Sequence, residues 1–90
     1  MNKSELIEAV ANSTGLSKVT AGKAVDAVIT VITTTLKEGD QVTLVGFGSF
    51  YVRRRADRFG RDPRTGKLIE IKAAKIPAFR PGKSLKDTVQ

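Results

Sequence analysis

Apolar residues change their spacing along this chain, and each change predicts a different element. In "NKSELIEAVANSTG", Leu6, Ile7, Val10 and Ala11 fall at i, i+1, i+4 and i+5, one face of a short helix. Asn2, with Glu5 three residues on, predicts the N-cap and its capping-box partner, and Gly15 predicts the stop. A second helix is predicted from a Ser17 cap. Ala21, Ala24, Val25, Val28, Ile32 and Leu36 carry its stripe, Lys37 suits its last turn, and Gly39 stops it. Its run "VITVITTT" is β-branched and favours strand, but cap, stripe and stop agree on helix. Ile29 and Val31 widen the apolar surface beyond one stripe, so this helix needs a second partner face.

The period then drops to two. In "QVTLVGFGSFYV", Val42 and Leu44 alternate with polar positions, and Phe50 and Val52 share a face. Gly46 and Gly48 bracket Phe47 in a tight turn, which predicts a hairpin. The second strand continues into "RRRADRFG", where charge replaces apolar alternation, and "KLIEIK" returns as its partner. Between them "GRDPRTGK" supplies Pro63, Thr65 and Gly66 as turn formers. The result is a long basic arm. From Arg53 to Gly60, at ~3.3 Å per residue, it reaches roughly 26 Å. An arm of that length has no core of its own and is expected to be mobile until something binds it. In the last segment Ile76 and Phe79 return to the core, Pro77 and Pro81 mark an edge strand, and Leu85 and Val89 predict a short final helix. The fold class is α+β: a helical hairpin, a small antiparallel sheet with a protruding arm, and a terminal helix. The chain is one domain, with residues 1–52 as body, 53–75 as arm and 76–90 as return strand and helix.

Charge changes this picture most. The net charge is +7, but residues 53–86 hold twelve Lys/Arg against three acids, a local net of +9, and the rest of the chain is slightly acidic. That is the footprint of a polyanion binder, since solubilising charge is usually mixed in sign. With no Cys and no His, thiol chemistry, disulfides, zinc sites and His-based catalysis are excluded. The start lacks the continuous apolar core of a secretory signal, and the run "VITVI" is too short to span a membrane. Residues 60–67 only superficially resemble a phosphate-binding loop. Five residues separate the glycines, and Leu68 follows Lys67 where Ser or Thr is required. Asp57 and Asp62 lie among arginines, a poor setting for a general acid, and no His activates a hydroxyl. No enzyme and no cofactor is expected.

The arm cations have two readings. Charge on an exposed β-arm keeps it from pairing with other strands. It also forms a track of phosphate contacts, and the one-sided sign favours the track. Arginine rather than lysine dominates from Arg53 to Arg64, which suits a narrow minor groove. The near absence of Asn and Gln there argues against reading base edges. Pro63 is either a turn former or an apolar wedge at the arm tip. Phe47, Phe50 and Phe79 sit in apolar contexts and read as core, whereas Phe59 lies in the charged arm.

These residues resemble the bacterial HU family of histone-like, nucleoid-associated proteins, related to integration host factor. The likeness runs from "MNKSELIEAV" to "KSLKD" and is most specific in "GFGSF" and "RRRADRFGRDPRTG". It implies an intertwined dimer whose β-arms embrace double-stranded DNA through the minor groove and bend it, with little sequence preference and a preference for distorted duplexes. HU is itself a standard instance of minor-groove wedging, and the wedge carries onto Pro63. DNA contacts carry onto Arg53, Arg55, Arg58, Arg61, Arg64, Lys67, Lys75, Arg80, Lys83 and Lys86. The dimer core is expected at Val28, Ile32, Leu36, Leu44, Phe47, Phe50 and Phe79. The implied partner is a second copy of the chain or a paralogue, with no membrane, in the cytoplasm on the nucleoid. Two positions depart from the family: Asp62 stands where Asn is usual, and Phe59 where a small polar residue is common. A carboxylate close to phosphates is unfavourable unless Arg61 or Arg64 neutralises it. A sequence-preferring subunit like integration host factor, an RNA-binding module and a scaffold that binds no nucleic acid are the other readings.

Overall fold

The computed structural model describes residues 1–55, 58–71 and 73–90, with the backbone alone at Arg58 and Ile71. It forms two compact units, Met1–Thr35 and Leu36–Gln90.

The first unit is helical. Helix α1 spans Lys3–Thr14. Its capping box is complete: Asn2 Oδ1 accepts the Glu5 N–H at 2.9 Å, and Glu5 Oε1 accepts the Asn2 N–H at 3.4 Å. Gly15 ends it in the left-handed region at φ 75°, where a side chain is strained. Helix α2 spans Lys18–Lys37, and Ser17 Oγ accepts the Thr20 N–H at 3.1 Å as its cap. The threonines of "VITVITTT" fit the helix because their hydroxyls donate back one turn, Thr33 to the Ile29 carbonyl and Thr35 to that of Val31. An ion pair from Lys3 Nζ to Asp26 Oδ1, 2.6 Å, ties α1 to α2.

One expectation needs correction. At 20 residues and a mean hydropathy of 1.3, α2 is long and apolar enough to cross a membrane by those measures. The unbroken run "VITVI" alone does not show this, because Gly22, Lys23, Asp26 and the threonines break the run but leave the mean hydropathy of the helix apolar.

The second unit is built on strands. Strands β1 (Val42–Leu44), β2 (Gly48–Arg55) and β5 (Ala74–Pro81) form an antiparallel sheet in the order β1-β2-β5. Strands β3 (Arg58–Arg61) and β4 (Leu68–Ile71) form a separate two-stranded ladder. The expected continuation of the outgoing strand through Ala56 and Asp57, and the end of its partner at Lys72, lie outside the described residues. The β1–β2 turn closes with Phe47 N–H on the Leu44 carbonyl at 2.9 Å. Gly48 is required by close approach: a Cβ there would sit 2.5 Å from the Arg80 carbonyl oxygen and 2.6 Å from the Phe79 ring. Helix α3 (Lys83–Val89) follows Gly82, whose N–H donates to the Phe47 carbonyl at 2.8 Å.

Few side chains are buried in the isolated chain. Among the described residues the buried apolar ones are Ala11 and Ala21. Val28, Ile29 and Val31 on α2 are about half exposed or more, and Leu44, Phe47 and Phe79 keep roughly two-fifths of their surface open. Leu6, Val10, Ala24, Val25, Val28 and Ile29 line an open apolar groove of about 280 Å³ between the two helices.

Candidate nucleic-acid interface

Residues paired across antiparallel strands point to the same side, and neighbours along a strand point to opposite sides. The register of the three-stranded sheet therefore sorts its side chains into two sets. Val42 faces Phe50, Phe50 faces Phe79, Val52 faces Pro77 and Arg54 faces Lys75. These make one face. Thr43 faces Ser49, Ser49 faces Arg80, Tyr51 faces Ala78, Arg53 faces Ile76 and Arg55 faces Ala74. These make the other.

The first face is aromatic at its centre. The Phe79 ring lies 4.9 Å from that of Phe50 and 5.4 Å from that of Phe47, both tilted by about 50°. Tilted contacts of this kind add to the apolar area they cover.

The second face is polar and cationic. Ser49 Oγ donates to Thr43 Oγ1 at 3.1 Å. The Arg80 guanidinium lies over the Tyr51 ring, 4.8 Å from its centroid, a cation–π contact that orients the group without neutralising it. Arg53, Arg55 and Arg80 thus share one face. Small or apolar neighbours, Ala74, Ile76 and Ala78, lie directly opposite Arg55, Arg53 and Tyr51, so the long side chains have room to stand up from the sheet.

The register also separates residues that the sequence grouped. Lys75 lies with Arg54 on the aromatic face, not with Arg53 and Arg55. Ile76, expected in the core beside Phe79, lies on the cationic face for the same reason of parity. Tyr51, Ser49 and Thr43 were not singled out from the sequence. The alternation in "QVTL" and "GSFYVR" carries their signal, but it becomes readable only once the pairing is known.

The arm ladder pairs Arg58 with Ile71, Phe59 with Glu70, Gly60 with Ile69 and Arg61 with Leu68. The side chain of Arg58 lies outside what is described. Phe59 is 66% exposed and shares its face with Arg61, so it is not a core residue of this chain. Residues 62–67 close the ladder. Asp62 N–H donates to the Lys67 carbonyl at 2.9 Å, and Gly66 N–H donates to the Asp62 carbonyl at 2.7 Å. Asp62 Oδ1 accepts the Arg64 N–H at 2.8 Å. The Arg61 guanidinium donates to the Gly66 carbonyl at 3.0 Å. Gly66 takes the left-handed conformation at φ 70°, which completes the turn. Pro63, Arg64 and Lys67 are exposed at this tip.

Lys83 and Lys86 are exposed on α3. Lys83 Nζ already meets Asp87 Oδ2 at 3.0 Å one turn on, so any phosphate it takes competes with that carboxylate. The expected core residues of α2, Val28, Ile32 and Leu36, and those of the sheet, Leu44, Phe47, Phe50 and Phe79, remain partly or largely accessible in the single chain.

Comparison with known proteins adds to this geometry. The pattern of the family described as bacterial DNA-binding protein matches residues 1–90. The chain is 61% identical over 90 residues to the DNA-binding protein HU of Xylella fastidiosa, covering all of this chain and 96% of that one. It is likewise 61% identical over 90 residues to HU of Geobacillus stearothermophilus, with both chains covered completely. Among solved structures, an Anabaena HU–DNA cocrystal is similar with a TM-score of 0.87 and 44% identity, over 99% of this chain and 97% of that one. HU from Thermotoga maritima is similar with a TM-score of 0.73 and 34% identity over the full length of both.

Proposed function

The chain belongs to the bacterial DNA-binding protein family that includes HU, and from that premise we propose that it binds and bends double-stranded DNA as an architectural, largely sequence-independent protein of the nucleoid. The observation that carries the reading is the division of one sheet into an aromatic face and a face bearing Arg53, Arg55 and Arg80. Three cations on one side of a sheet form a surface that meets phosphates together, whereas alternate cations on two sides would not. Displaced counterions then supply most of the affinity. Arg58, Arg61, Arg64 and Lys67 extend the contacts along the arm, and Lys83 and Lys86 add flanking ones. Lys75 reaches phosphate from the base of the arm by its long stem. No step here is catalytic, and the protein works in the cytoplasm where its DNA is.

Pro63 supports the bending half of the mechanism. It is the exposed ring at the tip of a turn held by its neighbours' hydrogen bonds. An apolar group wedged between base steps costs a few kcal/mol per step in proteins of this kind, HU among them. Nicked or gapped duplexes have already lost part of that stacking and are preferred.

The aromatic face supports a dimer. Phe47 and Phe79 on the sheet and Val28 and Val31 on α2 stay between about two-fifths and three-fifths exposed in the single chain, apolar surface of the kind a dimer interface buries. A second copy covers the phenylalanines and the open flanks of α2, which accounts for the apolar surface of that helix without a membrane. A paralogue of the same pattern serves equally.

The test is a salt titration of binding to an intact and a nicked duplex of one sequence, with Pro63→Ala alongside. The expected result is tighter binding to the nicked duplex at every salt concentration, with that preference reduced in the variant. Equal affinity for the two duplexes counts against the wedge.

A further inference from the structure

Asp62 directly precedes Pro63, the residue read as the wedge. We infer that Asp62 both positions the arm tip and sets its selectivity: its carboxylate oxygen fixes the turn that presents Pro63, and its charge disfavours insertion where phosphates crowd the groove. The inference rests on the reading of Pro63 as a wedge.

The positioning half follows from the hydrogen bonds. The Gly66 N–H on the Asp62 carbonyl closes a single helical turn, and Asp62 stands at its start as an N-cap does. Its Oδ1 accepts the N–H of Arg64 two residues on, the usual capping bond. Pro63 then occupies the first position of the turn, where its fixed φ is preorganised and its missing N–H costs nothing. The N–H, carbonyl and carboxylate of Asp62 are all engaged, so the ring of Pro63 leaves a residue held at three points.

The selectivity half follows from what does not touch the carboxylate. Neither neighbouring arginine neutralises it. Arg61 spends its guanidinium on the Gly66 carbonyl, and Arg64 contributes its backbone N–H rather than its side chain. Among the described residues no cation comes within ion-pair distance of Asp62. Asparagine caps such a turn as well as aspartate does. An asparagine at position 62 would therefore keep the geometry, and the charge is what the aspartate adds. A carboxylate about 7 Å from a phosphate in water costs on the order of threefold in affinity. Salt weakens the effect, since the Debye length is about 8 Å at physiological ionic strength, so it is largest at low salt. An intact minor groove has phosphates on both walls, whereas a gap lacks them on one strand. The penalty is therefore larger on intact DNA.

The test compares Asp62→Asn, Asp62→Ala and Pro63→Ala in the full chain. Each is titrated with an intact duplex and with the same sequence carrying a two-nucleotide gap, and end-to-end energy transfer reports the bend. At low salt Asp62→Asn is expected to bind intact DNA about threefold tighter per tip, to gain distinctly less on the gapped duplex and to bend DNA as before. Asp62→Ala loses the cap, lowering the equilibrium constant for forming the turn about fivefold, and bends DNA less than Asp62→Asn does. A gain for Asp62→Asn that is equal on both duplexes, or absent on both, overturns the selectivity. Equal bending by the Asn and Ala variants overturns the positioning. If Pro63→Ala keeps the full preference for gapped DNA, the wedge reading itself fails, and this inference fails with it for a separate and visible reason.

Discussion

The two faces of the three-stranded sheet are made by the same strands, yet they obey different rules. On one face Phe50 and Phe79 meet within 5 Å and gather Phe47 beside them. On the other, Arg80 lies over Tyr51, and Arg53 and Arg55 stand opposite Ile76 and Ala74. Burial stabilises the first face and would cost the second, because a guanidinium taken from water needs a charged partner. The pair is informative because each face wants a different kind of molecule. One fits a second protein chain, the other a polyanion, and a two-residue period alone keeps them apart.

The comparison breaks most severely at its aromatic centre. If a second copy buries Phe79, Phe79→Ala should cost about 3–5 kcal/mol per chain. Thermal melting at several protein concentrations checks this: the wild type melts at higher temperature as concentration rises, and the variant melts lower. Gly48→Ala strikes the same place from the backbone, since its Cβ would fall 2.5 Å from the Arg80 carbonyl oxygen and against the Phe79 ring. A loss of about 1–3 kcal/mol is expected, read by denaturant unfolding, with the register of β2 and β5 disturbed. On the cationic face the expected signature is the reverse. Arg80→Gln leaves melting within about 0.5 kcal/mol of wild type, as surface changes do, but weakens DNA binding and its salt dependence. The smallest effect on DNA binding lies away from both faces. Asn2→Ala removes the capping box of α1 and should lower stability by about 1 kcal/mol without touching the salt slope of DNA binding.

Sequence alone reached the local features and stopped where distant pairing decides. The caps at Asn2 and Ser17 and the stops at Gly15 and Gly39 were legible because each involves residues within one turn. The tip was legible as a turn from Pro63 and Gly66, but not the capping role of Asp62, which its charge obscured. The division of faces was out of reach. Lys75 and Arg53 differ by an even number of positions, yet they lie on opposite faces because β2 and β5 pair in the frame that sets Arg53 against Ile76. A slip of one residue would exchange every side chain on the returning strand, and nothing local specifies that register. The open surface of α2 was anticipated from Ile29 and Val31, while its spanning length escaped a count limited to unbroken apolar runs.

The central claim is that DNA meets the face bearing Arg53, Arg55 and Arg80, with Lys75 the one contact that reaches round from the face behind it. The most direct test is the slope of log affinity against log salt for a short intact duplex. Three proteins are compared: wild type, the triple variant Arg53→Gln/Arg55→Gln/Arg80→Gln, and Arg54→Gln as the charge removed from the opposite face. The triple variant should flatten the slope by about 0.9 for each phosphate it no longer neutralises, and Arg54→Gln should leave it at the wild-type value. Equal flattening per charge removed from either face would contradict the account.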